Sequence, residues 1–168
     1  MKAALSLAAL VLSIVLPNAA SARVANVTCA IQTWNGHYLT AVGKGGRTQD
    51  VIHSDATKIG SWEKFTLVDD GEGTSPITYG ILMPDGQHYL TAVSAGGRTD
   101  DVVHSDATWL KDWEKFQLYS LGGGWYGIRT FNGHFLTAVD GGGRIDQVLH
   151  SDATQIKDWE KFKFICGF

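Results

Sequence analysis

One stretch of the chain decides the fold: it reads HYLTAV at residues 37–42, GGR at 45–47, HSDAT at 53–57 and WEKF at 62–65. The same blocks return in the same order, with few changes, at residues 88–116 and 134–162. The first histidines of the copies, His37, His88 and His134, are separated by 51 and 46 residues. A period of this length is typical of one structural unit repeated along a chain. The sequence therefore predicts three repeats, at approximately residues 28–70, 77–120 and 124–168.

Each repeat shows the alternation and punctuation of β-strands. Residues 38–42 are rich in β-branched and aromatic side chains and follow Asn35-Gly36, a pair that favours a tight turn between strands. Further strands are expected before that turn, after the glycine pair, and where Phe65 and Leu67 alternate. No segment keeps a helical period. We therefore predict an all-β protein of three pseudo-symmetric four-stranded repeats, a β-trefoil: a six-stranded barrel capped by three hairpins.

The WEKF blocks contain a recurring tryptophan and glutamate. Trp62, Trp113 and Trp159 each stand three positions before a phenylalanine of the alternating face. A large aromatic residue in that place is more often part of the core, and we predict that the three tryptophans pack there. The glutamates that follow them are predicted to accept hydrogen bonds from backbone N–H groups of the turn.

The first 22 residues have the layout of a secretory signal peptide. They carry Lys2, an apolar stretch from Ala3 to Leu16, and the small-residue sequence Ala20-Ser21-Ala22. We predict cleavage after Ala22, leaving residues 23–168 as a single extracellular domain. Loss of Lys2 changes the formal net charge from −3 to −4. A mildly acidic chain without a basic run is not expected to bind nucleic acid or to insert into a membrane.

The chain has two cysteines, Cys29 before the first repeat and Cys166 after the last. An even pair that brackets an exported domain indicates a disulfide bond. Because the ends of a β-trefoil meet, this pairing suits the predicted fold.

In detail the repeat resembles the fascin-like group of β-trefoils. The resemblance rests on Gly36-His37-Tyr38-Leu39-Thr40-Ala41, on the Gly-rich loop, and on Trp62-Glu63-Lys64-Phe65, with their counterparts in the other copies. It extends over nearly the whole chain after residue 22. Cytosolic members with tandem trefoils bundle actin, whereas single fascin-like or ricin-like trefoils of secreted proteins bind carbohydrate. The resemblance and the predicted signal peptide together imply the second group. No ligand site is transferred from the family, because the histidine of HSDAT departs from the family pattern.

Three sets of repeated polar residues are the candidate ligand-binding residues. The imidazole and carboxylate of HSDAT suit adjacent sugar hydroxyls, with the alternative that the aspartate caps the following turn. Each GGR arginine can present a planar fork, and its glycine pair would let a ligand approach closely. The candidates are His53, Asp55, His104, Asp106, His150, Asp152, Arg47, Arg98 and Arg144.

Repetition itself favours binding over catalysis, since a catalytic centre usually needs dissimilar residues at one place. No nucleophile elbow, metalloprotease helix or phosphate-binding loop is present in the sequence, so we predict no enzyme activity, cofactor or metal. The predicted function is a secreted, lectin-like module with up to three weak sugar sites, whose partners are glycans or glycoconjugates. The alternatives are a secreted protein-binding trefoil, such as a protease inhibitor or effector, and an actin-binding fascin-like module.

Overall fold

The computed structural model describes residues 26–73 and 75–168. The signal peptide predicted at residues 1–22 lies outside them. Within the described residues the chain forms twelve β-strands: β1 (Val27–Gln32), β2 (Tyr38–Ala41), β3 (Ile52–Ala56), β4 (Phe65–Asp69), β5 (Thr78–Leu82), β6 (Tyr89–Ala92), β7 (Val103–Ala107), β8 (Phe116–Gly122), β9 (Trp125–Arg129), β10 (Phe135–Ala138), β11 (Leu149–Ala153) and β12 (Phe162–Cys166). Short 3₁₀ helices lie between them at Val42–Lys44, Ser61–Glu63, Val93–Ala95, Asp112–Glu114, Val139–Gly141 and Asp158–Glu160.

Six strands close into a barrel. β1 pairs with β4, β4 with β5, β5 with β8, β8 with β9, β9 with β12, and β12 with β1, and every pair is antiparallel. The remaining strands form the hairpins β2–β3, β6–β7 and β10–β11. Each hairpin is joined to the preceding barrel strand at one register position. This is a β-trefoil, and the predicted all-β fold of four-stranded repeats is confirmed.

Equivalent residues of the three repeats fill the core. Phe65, Phe116 and Phe162 begin β4, β8 and β12 and are at most 1% exposed. Around them pack an isoleucine from each of β1, β5 and β9 and a leucine from each hairpin: Ile31, Ile81, Ile128, Leu39, Leu90 and Leu136. The alternation at Phe65 and Leu67 therefore predicted the buried face correctly. Burial of each such side chain stabilises the fold by roughly 1.5–3 kcal/mol.

The GGR loops join each repeat to the next. The Gly46 N–H donates to the Ser105 carbonyl at 2.6 Å, and the Arg47 N–H donates to Ser105 Oγ at 3.1 Å. The same bonds link Gly97 and Arg98 to Ser151, and Gly143 and Arg144 to Ser54. The contacts form a closed ring. We call them the first seam (repeats 1 and 2), the second seam (repeats 2 and 3) and the third seam (repeats 3 and 1).

The first glycine of each pair lies against the neighbouring repeat. A Cβ added to Gly142 would lie 2.2 Å from Thr33 Oγ1, and one added to Gly96 would lie 2.4 Å from Thr130 Oγ1. Both glycines have φ of +107°, a value that L side chains rarely adopt. The glycines therefore make room for an adjacent repeat, rather than for the ligand expected from the sequence.

A disulfide bond joins Cys29 to Cys166, as predicted. The two residues lie opposite each other in the register of β1 and β12, so the bond closes the barrel at its chain ends. It spans 137 residues of sequence, and a loop of that size corresponds to roughly 5 kcal/mol in the chain-entropy model. In the part of the chain that the structure describes, no helix has the length and hydrophobicity needed to cross a membrane.

Candidate functional site

The tryptophans of the WEKF blocks lie at the surface. Trp62, Trp113 and Trp159 are 42%, 47% and 45% exposed. The prediction that they belong to the core is wrong, because the 3₁₀ turn directs the glutamate and the phenylalanine inward and leaves the indole outside. Each repeat therefore presents one large, flat, apolar ring to solvent at an equivalent position.

A buried glutamate fixes the turn that carries each exposed tryptophan. In the second repeat the Glu114 carboxylate accepts a hydrogen bond from Thr91 Oγ1 at 2.8 Å and another from the Lys111 N–H at 3.0 Å. Glu63 and Glu160 make the same two contacts in the other repeats. These contacts confirm that the glutamates accept backbone N–H groups, and they also tie the turn to the hairpin. The adjacent indole is thereby carried on a rigid support.

The HSDAT histidines lie on the outward face of the hairpins. His53, His104 and His150 alternate along their strands with serines that are fully buried. In the first two repeats the ring Nε2 is 2.7 Å from a carboxylate three residues earlier, Asp50 or Asp101. The third repeat has Gln147 at that position. Directly across the hairpin from each histidine is the threonine that binds the buried glutamate, so the histidine shares a face with the WEKF turn.

The HSDAT aspartates project into solvent. Asp55, Asp106 and Asp152 are exposed, two residues beyond the histidines on the same strands. The following 3₁₀ helices have no side-chain N-cap hydrogen bond. The alternative that these aspartates cap the turn is therefore wrong. Their carboxylate oxygens face outward beside the half-buried imidazoles.

The GGR arginines fold back over their own loops. Arg47 Nε donates to the carbonyls of Gln49 and Asp50, both at 3.2 Å. Arg98 and Arg144 donate in the same way to Asp100 and Asp146, both at 3.0 Å. The three side chains remain 41%, 31% and 32% exposed. The terminal nitrogens of each guanidinium also pair with a loop carboxylate, that of Asp50, Asp101 or Asp140. Each guanidinium thus braces its own loop while part of it remains exposed.

The first-turn histidines stabilise the turns themselves. His88 Nδ1 is 2.5 Å from Asp85 Oδ2, and His37 and His134 contact Asn35 and Asn132 in the same way. Burial pushes the pKa of the Asp85 carboxyl upward. Hydrogen bonds from the Gln87 N–H and from the His88 ring and N–H outweigh burial and place this pKa below its ordinary value.

A cavity of about 790 Å³ opens where the loops of all three repeats meet. Its lining combines the nearly buried side chains of Val51, Val102 and Val148 with the carboxylates of Asp50, Asp100, Asp101 and Asp146. Two of these carboxylates, Asp50 and Asp101, are held by the histidines described above. Among residues 26–73 and 75–168, no three His, Cys, Asp or Glu side chains are grouped so as to hold a metal ion.

The third seam carries aromatic and basic side chains that the sequence analysis did not single out. The rings of Trp34 and Trp125 lie 5.0 Å apart, centroid to centroid. A Cβ on Gly141 would be 3.5 Å from Trp159 and 3.7 Å from Trp34, so both indoles lie against Gly141. Lys161 Nζ lies 4.8 Å from the Trp34 centroid, and Lys163 Nζ lies 4.4 Å from that of Trp125. We call Trp34, Trp125, Trp159, Lys161 and Lys163 the tryptophan patch.

No protein-family model and no curated protein sequence matches the chain. Solved structures share its fold. The chain is similar to ThreeFoil, a designed protein with threefold symmetry, at a TM-score of 0.67 and 15% identity, covering 82% of this chain and 97% of that one. It is similar to the Rhizoctonia solani agglutinin at a TM-score of 0.68 and 15% identity, covering 86% of this chain and 98% of the agglutinin. It is also similar to SeviL, whose structure was solved bound to asialo-GM1 saccharide. The TM-score is 0.61 and the identity 14%, covering 84% of this chain and 98% of SeviL.

At these identities the likeness concerns the fold. Each comparison covers more than four fifths of this chain and nearly all of the other one, so the match includes all three repeats rather than one hairpin. The strand pairing and the comparisons agree: this chain is a β-trefoil.

Proposed function

We propose that the chain is a secreted carbohydrate-binding β-trefoil with up to three sugar sites, one on each repeat. The observation that carries the proposal is that each repeat exposes a tryptophan on a turn bonded to its hairpin, and that the same hairpin carries outward-facing polar groups. A soluble domain usually hides a tryptophan when it can. Three at equivalent places indicate a surface that meets a ligand.

The chemistry of each repeat matches that of a sugar ring. A pyranose has an apolar C–H face and a rim of hydroxyl groups, so an indole and hydrogen-bonding groups are needed side by side. In the first repeat Trp62 supplies the ring, and the exposed Asp55 carboxylate is placed to accept hydroxyl protons. His53, oriented by Asp50, adds a ring nitrogen, and the partly exposed Arg47 guanidinium, which also pairs with Asp50, adds N–H donors.

The proposed sites are shallow and repeated, so we expect weak individual sites whose combined affinity depends on avidity. A glycan surface that engages two or three repeats at once would be held far more tightly than a free monosaccharide. We assign the chain no catalytic role.

The comparisons and the export features support the same proposal. One similar structure is an agglutinin and another was solved with a bound saccharide. The disulfide at the chain ends suits an oxidising compartment, in keeping with a signal peptide cleaved after Ala22. We place the chain with single secreted trefoils of the fascin-like or ricin-like kind.

The test is glycan-array binding followed by calorimetry on Trp62→Ala, Trp113→Ala and Trp159→Ala, singly and together. We expect each single variant to lose part of the binding to an immobilised multivalent glycan, and the triple variant to lose at least about tenfold, because avidity falls with each site removed. Leu121→Ala is the control, since Leu121 is exposed on β8 outside the repeated blocks.

Two results would contradict the proposal. One is a wild-type protein that binds no soluble or immobilised glycan at millimolar concentration. The other is glycan binding that the triple variant keeps in full, because the exposed tryptophans would then not form the sugar sites. Single substitutions of Asp55, Asp106 and Asp152 by Asn provide a second test of the same sites without removing an aromatic side chain.

A further inference from the structure

The tryptophan patch breaks the symmetry of the molecule. Trp125 pairs with Lys163 across β9 and β12, and the equivalent pairs are Thr78 with Gln117 and Thr28 with Thr66. The position of Trp34 is occupied by Pro84 in the second repeat and by Phe131 in the third. Neither of the other seams therefore combines an indole pair with a strand lysine.

The patch is continuous. Trp125 contacts Trp34, and Trp34 and Trp159 both lie within 3.7 Å of the Cβ position of Gly141. Trp34 and Trp159 are 41% and 45% exposed. Three indoles and two ammonium groups thus form one surface, and it includes the tryptophan of the third proposed sugar site.

The two lysines of the patch differ in charge compensation. Lys161 Nζ is 2.8 Å from Asp158 Oδ1, so its charge is locally balanced. Lys163 has no carboxylate within ion-pair distance in the part of the chain described by the structure, and its ammonium lies over the Trp125 ring. A cation held over an aromatic face keeps its charge while it is partly dehydrated. Lys163 is therefore the ammonium of the patch whose charge no carboxylate of the described residues balances.

The WEKF lysines at the other two seams make different contacts. Lys115 Nζ is 2.5 Å from Glu72 Oε1 and its side chain is only 11% exposed. Its hydrogen bond to Glu72 is the main reason that the pKa of Lys115 is raised. Lys64 lies over the ring of Phe168. The third seam is thus the one at which a charge-balanced WEKF lysine is accompanied by a second lysine over an indole.

We propose that the tryptophan patch is the dominant ligand site and that it takes a sugar carrying an anionic substituent, a carboxylate or a sulfate. The inference rests on the proposed function and names its preferred ligand. The sugar ring lies against the exposed indoles of Trp34 and Trp159, and the anion is bound by Lys163. The other two repeats serve as neutral, weaker sites that add avidity.

Lys163→Gln is the decisive substitution, because it installs the residue that the second repeat has at Gln117. Lys58→Gln is the matched control: it removes the same charge from an exposed position and installs the residue that the third repeat has at Gln155. Trp125→Thr, which copies Thr28 and Thr78, tests the aromatic half of the patch. Denaturant unfolding of every variant establishes that the fold is retained.

The probes are matched glycan pairs, each a neutral oligosaccharide and the same oligosaccharide with a terminal sialic acid or a sulfate ester. We expect wild type at low salt to prefer the acidic member of a pair by about tenfold, the size of one charge-assisted hydrogen bond. The preference should fall to within about twofold in Lys163→Gln and should weaken with added salt in wild type. Lys58→Gln should behave as wild type. The sialylated and sulfated arms show which anion is bound.

Equal binding of acidic and neutral members by wild type, or an unchanged preference in Lys163→Gln, would overturn the inference. If neutral glycans still bind in a manner that depends on Trp62 and Trp113, the proposed function stands and only the patch assignment fails. If no glycan of either kind binds, both fail together.

Discussion

Asp85 stands where the other two repeats carry Asn35 and Asn132, and the exchange alters how the turn is held. Asn35 donates through Nδ2 to the Gly142 carbonyl at 2.7 Å, so it ties its turn to the third seam. A carboxylate cannot donate in this way. Asp85 instead accepts from two N–H groups and from the His88 ring. The turn at Asp85 is therefore held by a charge within its own repeat, and the turn at Asn35 also bonds across the third seam through its amide.

That charge makes one contribution to stability dependent on pH. The pKa of Asp85 is lower in the folded protein than its ordinary value, so the unfolded chain binds the proton more readily and stability rises with pH. The contribution is present above the unfolded pKa of about 3.9 and is lost as the pH falls through the folded value. Asp85→Asn should lack this loss, with an amplitude below about 1 kcal/mol, as for ion pairs near the surface.

Denaturant unfolding of wild type and Asp85→Asn between neutral and strongly acidic pH measures the effect. The difference in unfolding free energy should shift in favour of the variant only in the acid range. Asp106→Asn controls for the loss of a carboxylate, since Asp106 is exposed on β7. A free-energy difference that does not change with pH would show that Asp85 contributes no charge-dependent stability.

At the scale of elements, the three-residue 3₁₀ helices depend on their glutamates. Glu114 is 5% exposed and receives hydrogen bonds from a hairpin hydroxyl and from a backbone N–H. Removing it leaves Thr91, itself 6% exposed, and the Lys111 N–H without their acceptor. Glu114→Ala should lose about 2–3 kcal/mol of unfolding free energy, and its glycan binding should fall because Trp113 loses its support.

Glu114→Gln should lose less stability, since the amide oxygen keeps one of the two bonds. Asp112→Ala, which removes an exposed carboxylate from the same turn, should change the unfolding free energy by no more than about 0.5 kcal/mol. Thermal or urea unfolding of the three variants provides the measurement. Equal losses in Glu114→Ala and Asp112→Ala would contradict a specific role for the buried carboxylate.

The strands and turns also show which structural features could be predicted from the sequence. Strand alternation predicted the buried faces at Phe65, Phe116 and Phe162 because a period of two depends only on local geometry. It could not predict that Trp62 is exposed, since a 3₁₀ turn between two strands follows neither the strand period of two nor the α-helical period of 3.6. The partner of His53 was equally hidden: Asp50 has φ of +50°, and only that left-handed turn returns its carboxylate to the imidazole. A charged residue three positions before the histidine in two repeats was the available signal.

The sequence identified the repeated polar residues of the candidate surface, but it did not identify the residues that lie next to them in the fold. The outward faces of His53 and Asp55 follow from strand alternation, so the sequence could propose them. The glycine pairs were misjudged because the neighbour that approaches Gly142 comes from the far end of the chain, at Thr33. The tryptophan patch was missed for the same reason, since Trp34 and Trp125 meet only after the barrel has closed.

At the scale of the whole molecule, closure is the property that the three repeats share. Each GGR loop is bonded to a buried serine of the next repeat, and the last loop is bonded to the first repeat. The disulfide crosses the same third seam between β1 and β12. The seam that carries the tryptophan patch is thus held by backbone hydrogen bonds and by a covalent bond.

Gly142→Ala tests whether close contact at the third seam holds the ring together. Its Cβ would lie 2.2 Å from Thr33 Oγ1 and 2.8 Å from Thr33 Cβ, at φ of +107°. Backbone strain costs roughly 1–3 kcal/mol, and overpacking adds roughly 1–3 kcal/mol. We therefore expect a loss of about 2–6 kcal/mol in denaturant unfolding. Gly122→Ala is the matched control, because Gly122 has φ of +81° and open space around its Cβ position, so it should lose only about 1–2 kcal/mol. Similar losses in the two variants would mean that backbone conformation alone requires glycine at residue 142, and that the third seam tolerates a wider gap than its hydrogen bonds imply.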